Sequence, residues 1–401
     1  MTVLEGVRVV EMGLWVAGPS AGGILADWGA DVVKIETLSG DPMRKLYAAM
    51  SGSKEPRCPP FDMHNRGKRS VAIDVNQREG ASIARRLVAQ ADVFLTNMRP
   101  QYLRRAGLDH ETLLASDSRL VYAILTGYGL AGPDKDAPGF DVAAFSARSG
   151  VIDRATAPGT APPTLPGGMG DQVTALALVS GIAAALFARQ RTGRGQLVST
   201  SLLRAGVFCI GMEMSARVGL GRVAPSASRL RPQNPLMNSY RAADDKWFWL
   251  MGAEAERHWT PIATAIGAES LLSDVRFTTA RERRRNADAL VAIFDEIFAR
   301  RTRDEWSAIL REHGVWWAPV NSPDDLLNDA QVQAAGAFVD VPAIEGDGSR
   351  TSIASPVDFG ATPVTRFSAP PPLGRDTDVV LRDVGIDAAE CERLRSAGII
   401  Q

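Results

Sequence analysis

Residues Val7–Glu36 read VRVVEMGLWVAGPSAGGILADWGADVVKIE, and this stretch decides the fold. Val7–Glu11 alternates apolar and polar side chains and reads as a strand running into a turn. Ala17–Trp28 reads as a helix, and Asp31–Glu36 is again an apolar, β-rich run. Strand, helix and strand in close succession make a βα unit, and the pattern continues through strand Ser70–Asp74, helix Arg78–Ala89, strand Asp92–Thr96 and strand Leu120–Leu125. Runs such as ADVVKI and RLVYAIL are almost continuously apolar, as strands are when both faces of a mostly parallel sheet are covered. Ligand sites in such sheets gather at the C-terminal ends of the strands.

With 401 residues the chain exceeds the size at which one core stops growing. The predicted architecture is α/β: a Rossmann-like large domain over residues 1–218, a smaller α+β domain over 219–329, and a C-terminal segment, 330–401, that returns to the large domain. The boundary falls where the helical reading of Phe140–Val218 gives way, beyond Gly219–Pro235, to a short β segment, Trp247–Met251, and the helices Glu254–Ile266, Asn286–Arg300 and Arg303–His313.

Bulk properties exclude several function classes. Lys and Arg number 45 against 46 Asp and Glu, a net charge of −1, which offers no general attraction to nucleic acid or an anionic membrane. Cys58, Cys209 and Cys391 are too scattered for a disulfide framework or a zinc pattern, and the opening residues carry no export signal, so a cytoplasmic protein is expected. The apolar run Val173–Ala188, broken by Thr174, Ser180 and Gly181, falls short of the roughly 20 residues a membrane span needs and reads as a buried helix.

The strongest chemical signal is Gly167-Gly168-Met169-Gly170-Asp171, set immediately before that helix. Glycines such as Gly168 and Gly170 let backbone approach a ligand closely. Asp171 then stands at a helix start, where amides and macrodipole favour an ionised, exposed carboxylate, a nucleophile in waiting. The plain alternative makes Asp171 a helix cap and the glycines a turn. Asp141, in Gly139-Phe140-Asp141, is either a cap or a partner that orients Asp171. His64, His110, His258 and His313 lie beside no Ser or Cys in a nucleophile pattern and read as structural or surface residues.

Further runs set the motif in company: Trp15-Val16-Ala17-Gly18-Pro19, Gly40-Asp41-Pro42-Met43-Arg44, Asn65-Arg66-Gly67-Lys68-Arg69, Asn97-Met98-Arg99-Pro100, Arg105-Ala106-Gly107-Leu108, Thr126-Gly127-Tyr128-Gly129, and Ala318-Pro319-Val320-Asn321. In order and spacing the chain resembles the class III CoA-transferases, a group that includes formyl-CoA and carnitine CoA-transferases and also acyl-CoA racemases. The resemblance implies a homodimer of interlaced chains, acyl-CoA and a small carboxylic acid as substrates, and no permanently bound cofactor or metal. It implies that Asp171 takes an acyl group from a CoA thioester as a mixed anhydride and then carries CoA as an aspartyl thioester, with Gly168, Gly170 and Asp141 in support. CoA contacts carried over by position are Val16, Ala17, Arg44, Ile73, Asn76, Asn97, Met98, Arg99, Arg105 and Phe140. Two positions that often hold a cation in the family carry Thr37 and Pro138 here, so the phosphate contacts must be rearranged, through Arg44 or Arg99. The rival readings are a racemase of the same fold and a non-catalytic CoA-binding protein. Racemase relatives carry a His where Phe140 stands, and a phenyl group moves no proton. Trp15, Trp316 and Trp317 are candidates either for the wall of an acyl pocket or for plain packing.

Overall fold

A computed structural model describes residues 2–46, 58–226, 228–343, 348–364 and 367–401. The chain divides into two compact units, one formed by Met1–Asp153, Thr164–Gly221 and Gly336–Gln401, the other by Arg154–Pro163 and Arg222–Ala335. The excursion Arg154–Pro163, which the sequence reading leaves in the large domain, packs with the second unit because Arg154 Nη2 donates to the Ala224 carbonyl at 3.0 Å.

The first unit is built on six strands: β1 (Arg8–Met12), β2 (Asp31–Glu36), β3 (Arg69–Ala72), β4 (Val93–Thr96), β5 (Val121–Thr126) and β6 (Leu197–Ser201). They lie in the order β3-β2-β1-β4-β5-β6, every neighbouring pair parallel. This is the strand order of the doubly wound dinucleotide folds, in which the direction of winding reverses between β1 and β4 and leaves a crevice at their C-terminal ends. The expected mixed α/β fold with a parallel sheet is therefore present.

Alternation along the strands fills both faces. Val10, Val33, Phe94 and Tyr122 point to one side, where Leu381, Leu394 and Ile400 of the C-terminal segment join them. Val9, Val32, Leu95 and Val121 point to the other, against Ala21 and Leu25 of the helix Ala17–Asp27 and Leu178 and Ile182 of the helix Met169–Thr192. The tail is stitched to β3 by Asp376 N–H to the Ser70 carbonyl, 3.0 Å, and Ser70 N–H to Asp376 Oδ2, 2.8 Å.

The helix Met169–Thr192 corrects one expectation. It runs 24 residues, long and apolar enough to cross a membrane by length and composition, because helical structure continues through the polar ends that bound the apolar run. One face, with Thr174, Ala175, Leu178, Val179, Ile182 and Ala185, is buried in the core beside the sheet. The opposite face leaves Leu176 and Phe187 exposed.

The second unit holds an antiparallel sheet of β7 (Met237–Arg241), β8 (Trp247–Met251) and β9 (Trp317–Pro319). Tyr240, Phe248, Phe294, Phe298 and Trp306 form its aromatic core, and Trp317 packs edge-on against Phe248. Trp316 is exposed and leans on His258 with ring centroids 4.8 Å apart.

Candidate active site

The crevice at the β1/β4 junction is floored by charge. Within the first unit, Glu11 on β1 sits between two buried ammonium groups, Lys34 Nζ at 3.0 Å and Lys68 Nζ at 2.6 Å, and Lys34 also reaches Asp41 at 3.1 Å. Burial works against the ionised forms of Glu11, Lys34 and Lys68. At Glu11 the attraction of Lys34 and Lys68 outweighs it and leaves the carboxyl below its usual range, whereas at Lys68 burial wins and pulls the amine down to about 8.

This network fixes the turn after β1. Lys34 Nζ donates to the Gly13 carbonyl at 2.8 Å, Leu14 N–H donates to Asn97 Oδ1 at 2.9 Å, and Asn97 Nδ2 returns a bond to the Leu14 carbonyl at 2.9 Å. Trp15 N–H donates to Asp41 Oδ1 at 3.1 Å. Trp15 itself lies in the left-handed region, φ 66°, a conformation costly for a bulky L residue and held here by those bonds.

Opposite the turn, Gly168 caps the long helix at φ 75°, and Asp171 occupies the third helical position. Asp171 is thus not the cap, and its carboxyl accepts no hydrogen bond among the described residues. Gly170 is required by space: a Cβ there would lie 2.2 Å from Phe145 Cγ and 2.3 Å from Asp141 Oδ1. Asp141 opens a short π-helical turn, Asp141–Ala147; the nearby amides of Gly170 and Gly168 favour its ionised form, although its buried Oδ1 has no hydrogen-bond partner among the described residues. Burial nevertheless raises the pKa of Asp141.

The electrostatics of Asp171 depart from the sequence expectation of an exposed, fully ionised carboxylate. Its pKa is pushed up to about 7, first by burial and then by the charge of Asp141. Desolvation outweighs the helix dipole because the dipole is felt as a half-charge at the helix end, whereas burial strips water from the whole carboxylate.

Two cavities of the first unit meet at this acid. One, of about 460 Å³, extends from Asp171 past Val16, Ala17, Asn97, Met98 and Phe140 to Arg99, Arg105 and Lys135. These three cations are exposed and make no ion pair among the described residues. The other, of about 930 Å³, lies on the far side of a wall formed by Trp15, Val16, Phe140, Asp141 and Asp171, which both share. Its lining includes Met43, Leu46, Pro59, Met63, His64 and Gln172.

Most of the expected site residues thus come together. Arg44, Ile73 and Asn76 do not line either cavity. Arg44 is consumed by Glu36, with Nε at 2.8 Å and Nη2 at 2.7 Å, and by the Pro371 carbonyl at 3.1 Å, so it is no free phosphate ligand. Ile73 is buried in the core, and Asn76 bonds Asp74 at 3.0 Å. Lys135, three residues before Pro138, is the cation the sequence reading missed. It also missed His64, only 5% exposed, whose Nε2 lies 2.8 Å from Gln172 Nε2 while Ser20 Oγ donates to Gln172 Oε1 at 2.7 Å. Burial, reinforced by the charge of Lys68, pushes the His64 imidazole down to about 4, so it is neutral at physiological pH. Among the described residues no cluster of three or more His, Cys, Asp or Glu is placed to hold a metal ion.

A doubly wound sheet thus presents a carboxyl between a cation-lined cavity and a larger one lined in good part by hydrocarbon. Residues 4–377 match CoA-transferase family III, and the chain belongs to that family. It is similar to the (R)-2-hydroxy-4-methylpentanoate CoA-transferase of Clostridioides difficile, 32% identical over all of both chains. It is also similar to the cinnamoyl-CoA:phenyllactate CoA-transferase of Clostridium sporogenes, 32% identical over 98% of this chain and 96% of that one. Among solved structures, a CAIB/BAIF family protein from Brucella suis superposes with a TM-score of 0.84 at 28% identity, covering 96% of this chain and 99% of that one. The protein is a CoA-transferase, acting between acyl-CoA and carboxylic acids.

Proposed function

We propose that the carboxylate of Asp171 is the nucleophile of this transfer. The observation that carries the reading is the placing of Asp171: it stands where both cavities meet, and its carboxyl accepts no hydrogen bond among the described residues, whereas the amides of Gly168 and Gly170 lie beside Asp141 and favour its ionised form. An unheld carboxylate whose pKa is raised to about 7 is a stronger base and nucleophile than an ordinary one once ionised.

In the first half-reaction an Asp171 oxygen attacks the thioester carbonyl, the C–S bond breaks, and CoA leaves as thiolate with a mixed anhydride formed. The thiolate then attacks the Asp171 carbonyl of the anhydride, releasing the donor acid and leaving an aspartyl-CoA thioester. The acceptor carboxylate attacks that thioester, and the same two steps in reverse deliver acyl-CoA and restore Asp171. Arg99, Arg105 and Lys135 would receive the phosphates of CoA, because unpaired cations around a cavity favour a polyanion. Phe140, beside Asp141 on the shared wall, gives no second proton-transfer group of the kind a racemase needs.

A homodimer is part of the proposal. Leu176 and Phe187 of the long helix, with Phe208 at 85% and Met212 at 88% exposure and Val218 on the following helices, are exposed apolar side chains of one unit that a second copy would cover. Light scattering at the monomer mass would count against it. That Cys58, Cys209 and Cys391 form no disulfide fits a reducing compartment such as the cytoplasm.

The test of the nucleophile is chemical. Incubation with an acyl-CoA, followed by borohydride reduction and peptide mass spectrometry, should mark Asp171. CoA transfer retained in Asp171→Ala would overturn the assignment.

A further inference from the structure

The two cavities that meet at Asp171 differ in chemistry, and this difference bears on which acids the enzyme accepts. The smaller carries the cations Arg99, Arg105 and Lys135. The larger, about twice its volume, is walled by hydrocarbon, with Met43, Leu46, Pro59, Met63, Val142 and Ile353 among its lining. Two arginines reach its wall. Arg66 is already engaged: its Nε and Nη2 bond Asp27 at 2.9 and 2.6 Å, and Nη1 bonds Ser352 Oγ and the Ile353 carbonyl at 3.0 and 2.7 Å, which uses four of its five N–H donors and pairs its charge. Arg350 is exposed on the hairpin strand Ser349–Ile353, so it is hydrated in the free protein. Among the described lining residues, Gln172, next to Asp171 in the chain, and His64 are tied to each other at 2.8 Å, and the other polar side chains besides the two arginines and the shared wall are Asp62, Thr351 and Ser352.

We propose that the larger cavity is an acyl chamber selecting carboxylic acids with a bulky apolar side chain, branched or aromatic, with Met63 as a specificity-determining residue. The inference rests on Asp171 as the point where acyl group and CoA meet. A cavity of about 930 Å³ lies near the upper end of the range of small-molecule sites, far beyond what an acetyl group fills. A short acid would leave its walls facing water or void, forgoing the apolar burial that a larger side chain recovers at about 0.8 kcal/mol per methylene. A second carboxylate on the substrate would share the cavity with Asp62 and with the hydrocarbon of Met43, Leu46 and Pro59, and the exposed Arg350 is the one lining cation among the described residues that makes no ion pair. Met63 suits the role because it is half-buried, lines only this cavity, and lies on the short helix Pro59–Asn65 beside His64. Its flexible thioether adapts to differing hydrocarbon shapes.

The experiment avoids the unknown acceptor by identity exchange. The full-length protein is incubated separately with acetyl-CoA, succinyl-CoA, 4-methylpentanoyl-CoA or 3-phenylpropanoyl-CoA, each with the ¹³C-labelled free acid of the same acyl group, and label entering the thioester is followed by mass spectrometry. The expected result is a kcat/KM for the two bulky acyl groups at least about 100-fold above that for acetyl and succinyl, since discrimination of about 10-fold or more per methylene is within reach of an apolar pocket. Met63→Trp, which fills the chamber, should lower 3-phenylpropanoyl exchange by about 30-fold or more while acetyl exchange is unchanged or improved; Met63→Ala should leave acetyl exchange slow and admit longer groups. Acetyl or succinyl exchange matching the bulky groups overturns the chamber, succinyl preference pointing to Arg350 instead. Equal loss for all four substrates in a folded Met63→Trp protein overturns the role of Met63. Absence of exchange with every acyl group, in a protein that still binds CoA by calorimetry, overturns the Asp171 reading and this inference with it.

Discussion

Replacing Asp171 by Asn should abolish transfer and at the same time stabilise the protein, by an amount that depends on pH. The carboxyl has a pKa of about 7 in the folded chain against 3.8 unperturbed, with burial the larger cause and Asp141 the smaller. Because the folded value is the higher one, the native chain holds its proton more tightly. The stability this contributes is complete below about pH 4 and is lost as pH rises through 7. At about 1.36 kcal/mol per unit, the charged form costs about 4 kcal/mol at pH 8 and the mismatch costs about 1.6 kcal/mol at pH 5. The carboxyl is only partly buried, so water screens it and about half of each figure is the working expectation. Asn has nearly the same shape and no charge, and should recover that cost. For a unit of this size, about 2–4 °C per kcal/mol translates into a Tm gain of about 4–8 °C at pH 8 and about 2–3 °C at pH 5. Scanning calorimetry at the two pH values measures both. A gain equal at pH 5 and pH 8, or a loss at pH 8, would refute the claim that desolvation governs this acid.

Three further outcomes follow from the same geometry. The kcat/KM of the wild type for acyl-CoA should fall as pH drops below about 7, since only the ionised Asp171 attacks; Asp141→Asn should move that midpoint down while leaving it above 3.8, because burial remains, and a midpoint that stays put would show that Asp141 has no electrostatic hold on it. Asn97→Ala removes both bonds to Leu14 and frees the strained turn, so it should cost about 1–3 kcal/mol in urea unfolding and raise KM for acyl-CoA, whereas an unchanged KM would show that the turn does not contact the substrate. Glu11→Gln leaves Lys34 and Lys68 buried without their shared counter-charge and should destabilise by about 3–5 kcal/mol, checked by chemical denaturation; a change under about 1 kcal/mol would mean the floor relaxes freely.

Much of the fold was legible. Asp31–Glu36 was read with its exact ends, since an apolar run bounded by Gly29 and a turn leaves little choice. The sheet order was not, because it depends on which strands pair across long intervals of chain. At the candidate site, Asp171 and Asp141 were singled out by local motifs and Phe140, Asn97 and Arg99 by the family resemblance, and all five line one cavity. Lys135, His64 and Gln172 were not: they belong to three separate segments, and only folding brings Lys135 to the smaller cavity and His64 and Gln172 to the larger. Arg44 misled for the converse reason. A bare arginine in a turn looks available, and nothing local in the sequence reveals that Glu36 and the Pro371 carbonyl take its guanidinium. The pKa of Asp171 was hidden too, because helix position is written locally and burial is not.

The paired charges beneath the β1 turn also limit how this enzyme can diversify. Glu11 answers two lysines at once, so none of the three can drift alone without stranding a partner, and the region tolerates only concerted replacement. Met63 and Val142 on the hydrocarbon side carry no such obligation. On the proposed reading, single steps in the lining would alter substrate preference while the charged foundation under the β1 turn stays constant.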